Sequence, residues 1–316
     1  MKSMLLTGAF GNLGCYVLDL LLERGYQVTC FDLPNKANQK AAEKYQGRVE
    51  IVWGDIRDTL VVNPLVANKT GVIHLAAMLP PATDDLPELS WQVNVESTRN
   101  LLTAISEQEG TPVFVFASSF TVFGMQQPGE APRKPSDPIT ASDNYTKQKV
   151  ACEEAIQAHS KPWAILRVGV SIDARLQHAD KRLIRAMLEV TPDSCLEYVH
   201  PADVAIALVH AVEREAAWRK VHLIGGGKNC QVLQRDLVNT ALGAAGLVFS
   251  DAELGDKLYY THWMDTEETQ RILEFQHHSF DDFREAMFKQ MKWIRLLVKP
   301  IAYPARKIFL KWAFAG

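Results

Sequence analysis

The chain has 316 residues, 47% hydrophobic and 22% charged, with a net charge of −3. That is enough for one large domain, or a large and a small one, around a real core, and the lack of a basic excess excludes a general nucleic-acid binder. Five scattered cysteines (Cys15, Cys30, Cys152, Cys195 and Cys230) form no C-x-x-C pair, which argues against a disulfide framework or a metal site and suits a reducing cytosol.

The opening "MKSMLLTGAFGNLG" has a lysine and an apolar run too short for a signal peptide, and it passes straight into glycines. "SMLLTG" reads as a strand leading into a helix around Gly11–Arg24, followed by the strand "YQVTCFD". "VEIVWGD", "GVIHLAA", "PVFVFASS" and "WAILRV" follow, separated by segments of helical periodicity. Runs that are apolar throughout fit parallel strands covered on both faces. Repeated strand–helix–strand units predict a doubly wound α/β sheet with right-handed crossovers.

After Val168 the rhythm loosens. "DKRLIRAMLEV" reads as a helix, "CLEYVHPADVAIALVHAV" as a strand and then a helix from near Pro201, and "KVHLIGGG" as a strand. Helices are expected near 232–246, 265–274 and 280–299, the last capped by Ser279 with Asp282 three residues on. No stretch reaches the roughly 18 uncharged residues of a membrane span.

Gly8, Gly11 and Gly14 follow the first strand at the mouth of the first helix. That spacing suits a tight turn, backbone approach to a pyrophosphate and a helix N-terminus facing the anion, although a glycine turn without a ligand uses the same residues. The next strand ends at Asp32, about 20 residues on, where a carboxylate accepts from a ribose 2′-hydroxyl. It would repel a 2′-phosphate, and no arginine follows directly, so NAD is favoured over NADP. "GDIRD" puts Asp55 and Ile56 at the end of the third strand, beside the same crevice. Tyr145 and Lys149, in "ASDNYTKQKVACEEAI", share one helix face, a pairing that taken alone is at chance level.

Six segments in order, "TGAFGNLG", "GDIRD", "HLAA", "NVESTRNLL", "ASSFTVFG" and "YTKQK", resemble the extended short-chain dehydrogenases/reductases, the NAD-dependent epimerase/dehydratase family. The resemblance runs from residue 4 to residue 225 and more weakly to 288. It implies a Rossmann fold with bound NAD over 1–168, rejoined by 194–225. A smaller substrate-binding region then covers 169–193 and 226–288, and a basic amphipathic tail covers 289–316.

The resemblance makes Tyr145 the acid/base, Lys149 its tuner and a holder of the nicotinamide ribose, and Ser119 the hydroxyl on the substrate oxygen. A phenol with a free pKa of about 10 is a poor base near neutrality, and a neighbouring ammonium favours its phenolate. The cofactor contacts it implies are Gly8, Phe10, Gly11, Asn12, Leu13, Gly14, Asp32, Asp55, Ile56, Leu75, Ala76, Ala77, Tyr145 and Lys149. Met78, Phe120 and Val170 are the candidate substrate contacts. Ser118, His74, Asn94, His200 and Asp203 are read as structural, and Arg167 is placed after the sixth strand. Members of the family often dimerise through two helices, here near 90–107 and 144–159, so a homodimer is expected.

Three departures bear on the reaction. Sugar dehydratases of the family carry an Asp–Glu pair where this chain has Phe120 and Thr121, which disfavours loss of water. Val170 stands where nucleotide-sugar epimerases commonly have a phosphate-binding asparagine, and Phe123 replaces a tyrosine. The expectation is an NAD-dependent oxidoreductase interconverting a secondary alcohol and a ketone on a hydrophobic or lipid-linked substrate. The alternative is a nucleotide-sugar epimerase with tightly bound NAD. A non-catalytic dinucleotide sensor is disfavoured because Tyr145 and Lys149 are both present.

From Lys289 onward there are seven basic residues and no acidic one, which leaves −10 for residues 1–288. Interleaved tryptophans suit an anionic membrane surface, and packing on the body or on a second subunit suits the same pattern. Pro300 and Pro304 are expected to break the tail into two short helices. The localisation these features suggest is cytoplasmic, with peripheral attachment at the inner face of a membrane if the tail meets lipid.

Overall fold

The computed structural model describes residues 2–125, 131–174 and 181–315. Short apolar runs become strands β1 (Ser3–Thr7), β2 (Gln27–Asp32), β3 (Glu50–Trp53), β4 (Gly71–His74), β5 (Val113–Ser119) and β6 (Trp163–Val168). β7 (Cys195–Glu197) leaves this sheet, β8 (Lys220–Ile224) rejoins it, and β9 (Gln231–Leu233) pairs antiparallel with β7. The main sheet is all parallel in the order β3-β2-β1-β4-β5-β6-β8. Chain direction across the sheet reverses between β1 and β4, the place where such sheets open a crevice at their strand C-termini.

Alternation along each strand divides the core in two. Met4 and Leu6 face one layer, with Val17, Leu18 and Leu21 of α1 (Asn12–Glu23), while Leu5 faces the other. The smaller helices α2 (Lys36–Ala42), α3 (Thr59–Val62), α4 (Ala82–Asp85) and α5 (Pro87–Trp91) connect the strands. A π-helical turn over Gln92–Glu96 leads into α6 (Ser97–Ser106), which with α7 (Asn144–Gln157) covers the Leu5 layer through Leu101, Ile105, Cys152 and Ile156. The first layer is completed by α9 (Pro201–Glu213), through Val204, Leu208 and Ala211, while α8 (Lys181–Glu189) lies outside it. Each of the fully buried Val, Leu and Ile side chains among these contributes about 1.5–3 kcal/mol relative to exposure.

The remaining helices are α10 (Gln234–Ala241), α11 (Glu267–Leu273), α12 (Phe280–Gln290), α13 (Lys292–Val298) and α14 (Ala302–Phe314). Ser279 and Asp282 form a capping box on α12. Asp203 accepts from the amides of His277 and His278 (3.1 and 3.0 Å) and from His278 Nδ1 (2.6 Å), and His200 caps α9 through the Ala202 amide (3.1 Å).

Several boundaries differ from the sequence reading. β7 belongs to the small sheet, whereas the rest of 194–225, from Val199 through α9 and Ala217 to β8, packs with the large one. Arg167 lies inside β6, where pairing with Leu223 extends the strand beyond its apolar run. The expected helix over 280–299 breaks at Met291, and that over 232–246 stops before Gly246, whose φ of +92° is left-handed. Pro300 sits in a 3₁₀ turn, but Pro304 does not interrupt the chain: it lies in the first turn of α14, where an amide would have no helical partner. None of the five cysteines is in a disulfide.

Candidate active site

The first wall of the crevice is the turn after β1. Gly8 has a φ of +68°, and a Cβ there would lie 2.7 Å from the Ala76 amide nitrogen. A Cβ on Gly14 would overlap the Gly8 carbonyl oxygen, so the turn and α1 pack at backbone distance. Gly11 is the N-cap of α1 and places no side chain over its first turn, where Asn12, Leu13 and Gly14 stand. A helix N-terminus left open in this way suits an anion. Leu75 and Ala76 close over the turn, donating to Thr7 O (3.1 Å) and Thr7 Oγ1 (3.3 Å), with Ala77 half-buried beside them.

Asp32 ends β2 and is held tightly. Its Oδ2 accepts from the Phe10 amide (2.8 Å), and its Oδ1 from the Leu33 amide (2.8 Å) and Asn38 Nδ2 (2.9 Å). Burial pushes its carboxyl up, opposed by the Phe10 and Leu33 amides. Phe10 therefore differs from the sequence expectation: its amide is taken by Asp32, and its ring is buried against Trp53 (5.1 Å between centroids) and Tyr45. Ile56 likewise turns its side chain into the core. Asp55 is gripped by Arg57, whose guanidinium holds its carboxyl below the usual range.

A glycine turn with no room for a Cβ at Gly8 or Gly14, and a fixed carboxylate one strand away, fit a dinucleotide. Gly8, Gly11–Gly14 and Asp32 are the residues that would hold it, on α1 and β2.

Across the switch point lies the polar cluster. Ser119 is the last residue of β5, and its Oγ meets Thr121 Oγ1 at 2.8 Å and accepts from the Thr121 amide at 3.3 Å. Tyr145 lies in the first turn of α7, which Asp143 caps by accepting from the Thr146 amide (2.7 Å). The Ser119 hydroxyl stands near enough to the Tyr145 phenol to oppose the rise of its pKa. Lys149, one turn on, is buried and donates to Ala117 O (2.7 Å), with its Nζ 5.6 Å from the Tyr145 ring centroid. The structure thus brings Ser119, Tyr145 and Lys149 together.

Their electrostatics differ from the expectation. Burial pushes the Tyr145 phenol up, with the Ser119 hydroxyl opposing it. Burial also lowers Lys149 to about 8. A desolvated ammonium aimed at a carbonyl oxygen does not by itself bring this phenol down.

Beneath the cluster, His74 bridges Thr7 Oγ1 (2.7 Å) and Thr98 Oγ1 (3.1 Å), and burial lowers it to about 3, with the Lys149 charge a smaller cause. Asn94, in the π-helical turn, accepts from the Met78 amide (2.7 Å) and donates to Met78 O (3.0 Å), fixing the loop after β4. Ser118 points away from the crevice and donates to Glu153, which pairs with Arg167 (Nη2–Oε2 2.7 Å), both fully buried. Arg167 also lies 4.8 Å from the Phe123 ring centroid, so Phe123 serves as a cation platform.

Of the candidate substrate contacts, Met78 is half-buried at the clamped loop. Val170 is half-buried against Leu196, Tyr198 and Phe283, bridging to Tyr198. Phe120 is corrected: it is buried in an apolar cluster with Phe123, Leu223 and Met264. It follows a β5 residue that faces the crevice, and the 3₁₀ turn over Phe120–Phe123 folds its ring inward.

Two residues escaped the sequence reading. Thr121, noted only as replacing an acid, hydrogen-bonds Ser119. Tyr259 is near enough to Tyr145 to add to the rise of its phenol, after burial as the main cause. Thr121 was legible from its spacing to Ser119, while Tyr259 lies in "KLYYTHW", which has neither periodicity nor motif.

A sequence profile of the NAD dependent epimerase/dehydratase family matches residues 4–225. A 3-beta-hydroxysteroid dehydrogenase of Mycolicibacterium neoaurum is 28% identical over 195 residues, 59% of this chain and 51% of that protein. The chain thus spans about half the length of this relative. A UDP-glucose 4-epimerase of Corynebacterium glutamicum is 24% identical over 260 residues, 73% of this chain and 77% of that one. Among solved structures, a UDP-glucuronic acid 4-epimerase from Bacillus cereus, in complex with UDP-glucuronic acid and NAD, superposes with a TM-score of 0.75. It is 20% identical, covering 93% of this chain and 100% of that one. The dTDP-glucose 4,6-dehydratase DesIV from Streptomyces venezuelae gives 0.77 at 20% identity, over 96% and 99% of the two chains. These likenesses establish the fold.

Proposed function

The chain belongs to the NAD-dependent epimerase/dehydratase family, and from that premise we propose that it is an NAD-dependent oxidoreductase interconverting a secondary alcohol and a ketone. The observation that carries this reading is the meeting of Ser119, Tyr145 and Lys149 at the end of β5. NAD, when bound, supplies the hydride acceptor or donor. Tyr145 holds or takes the proton on the substrate oxygen, Ser119 donates a hydrogen bond to that oxygen, and Thr121 orients Ser119. Lys149 keeps a positive charge beside the phenol below about pH 8.

A hydrophobic substrate is favoured by what lines the substrate side. Val170 lies against an apolar cluster, and no acidic pair follows Ser119 to assist loss of water. The expected assay result is NADH formation with aryl or sterol-like alcohols. Tyr145→Phe should lower kcat/KM by about 10²–10⁴-fold, the usual contribution of a positioned proton-transfer group, while leaving NAD affinity within a few-fold. Unchanged turnover in that variant would defeat the assignment.

The alternative, a nucleotide-sugar epimerase, is supported by the relative matched over 73% of this chain. It would convert sugar nucleotides with no net NADH, so the same absorbance assay with product analysis separates the two. For the assembly, the reading is a homodimer formed through α6 and α7. These helices lie side by side on one sheet face and leave Arg99, Thr103, Lys147 and Glu154 exposed.

A further inference from the structure

The segment after Met291 is apolar on two faces, and packing explains one of them. The inner face of α14, with Ala305, Phe309, Leu310 and Ala313, closes a core with Leu188, Val238 and Phe249 of the substrate-binding region. Sequence alone left packing on the body and meeting a membrane as rivals; the inner face is packed on the body, and the outer face is left over. That outer face holds Trp293 (73% exposed), Leu297 (76%) and Ile308 (70%), joined by Ile301, Tyr303 and Trp312. A concentration of large exposed apolar side chains such as this is uncommon on monomeric soluble proteins unless something covers it.

The charges around it are of one sign. Of the seven cations from Lys289 onward, Arg306 pairs with Glu253 (3.1 Å). Lys289, Lys292, Arg295, Lys299, Lys307 and Lys311 have no carboxylate partner among the described residues. Lys292 and Lys307 lie over the rings of Trp293 and Tyr303, so cations and aromatic rings occupy one surface. A protein partner would need an acidic, apolar face of matching outline, whereas an anionic bilayer supplies negative headgroups above hydrocarbon everywhere. Aromatic rings at the headgroup level with lysines around them is the arrangement that such a surface favours.

We propose that α13 and α14 seat the protein on an anionic lipid bilayer and thereby present its active site to an alcohol dissolved in that bilayer. The second half of this statement rests on the oxidoreductase reading above. α14 packs on α8, and Arg182 of α8 pairs with Asp85 of α4 (2.7 Å). Asn144, next to Tyr145, donates to Asp84 and to Thr83 O in that same helix. The docked face is therefore two helices from the crevice, on its substrate side.

Co-sedimentation of the full chain with vesicles tests the seating without needing turnover. Pelleting is expected with phosphatidylcholine vesicles containing phosphatidylglycerol, little with phosphatidylcholine alone, and reversal on adding salt. The surface variants W293E/L297E and K307E/K311E should each lose it while keeping the far-ultraviolet circular dichroism and NAD affinity of the parent. Turnover of a water-soluble alcohol should be unchanged in both, and turnover of a vesicle-borne alcohol should fall about tenfold or more. No pelleting, pelleting indifferent to lipid charge, or pelleting that survives both variants overturns the proposal. So does light scattering that shows a dimer dissolved by W293E/L297E, since a second copy would then cover the face. If pelleting behaves as expected but no alcohol yields NADH, the oxidoreductase reading fails and the membrane seating stands.

Discussion

His74 shows how a single residue ties the site to stability. Its imidazole is fully buried between two threonine hydroxyls, and its folded pKa of about 3 lies below the unfolded value of about 6.5. The unfolded chain therefore binds the extra proton first as pH falls. The stability from keeping His74 neutral is fully present above pH 6.5 and is lost progressively toward pH 3, on the order of a few kcal/mol in total. In urea unfolding between pH 7 and 4, His74→Gln should show a shallower fall than the parent, whatever its stability at pH 7. Parallel slopes would mean that His74 already titrates normally. Lys149 acts at the other end: its lowered pKa makes the charged form costly below about 8, so stability gains as pH rises toward the unfolded lysine value.

At the scale of one element, α7 carries Tyr145, Lys149 and Glu153 at successive four-residue steps, a single stripe facing β5 and β6. The first two residues were readable in the sequence; the third, Glu153, was not, because a glutamate on a helix normally signals solvent. It is instead the counter-ion of Arg167 and the acceptor for Ser118. Glu153→Gln should leave a buried guanidinium short of charge and cost about 3–5 kcal/mol by urea melts. A Glu153→Gln, Arg167→Met double variant should lose less than Glu153→Gln alone. If the double variant is the less stable of the two, the pair is not acting as a compensating unit.

For the whole molecule, the parallel sheet was legible as far as Val168 because central strands are apolar throughout and helices separate them at regular intervals. β8 was legible as a strand in "KVHLIGGG", but the three-residue strands β7 and β9 that flank it in the chain pair with each other outside the main sheet, too short to leave a periodic signal of their own. The glycine turn, Asp32 and the Ser–Tyr–Lys cluster were legible because each needs a special residue type at a fixed spacing. Phe10 and Phe120 show the opposite case: motif position does not say whether a side chain faces the crevice or the core. The proposed homodimer belongs to this scale too. Along α7, Ala151 and Ala155 are half-exposed small residues beside Lys147, which would let a second helix approach closely. Light scattering should give a dimer for the parent and a monomer for Ala155→Arg; an unchanged mass in that variant would place the interface elsewhere.

The hydrogen bond from the Phe10 amide to Asp32 has a consequence for how such a protein can change. The carboxylate proposed to select the ribose is also a strut of the glycine turn, with one oxygen spent on holding that turn in shape. Exchanging Asp32 for a neutral or basic residue would thus alter two properties in one step, the choice of nucleotide and the geometry of the loop that receives it. A lineage or a designer moving toward a phosphorylated cofactor would have to rebuild the turn at the same time, which makes the present preference hard to leave by single substitutions.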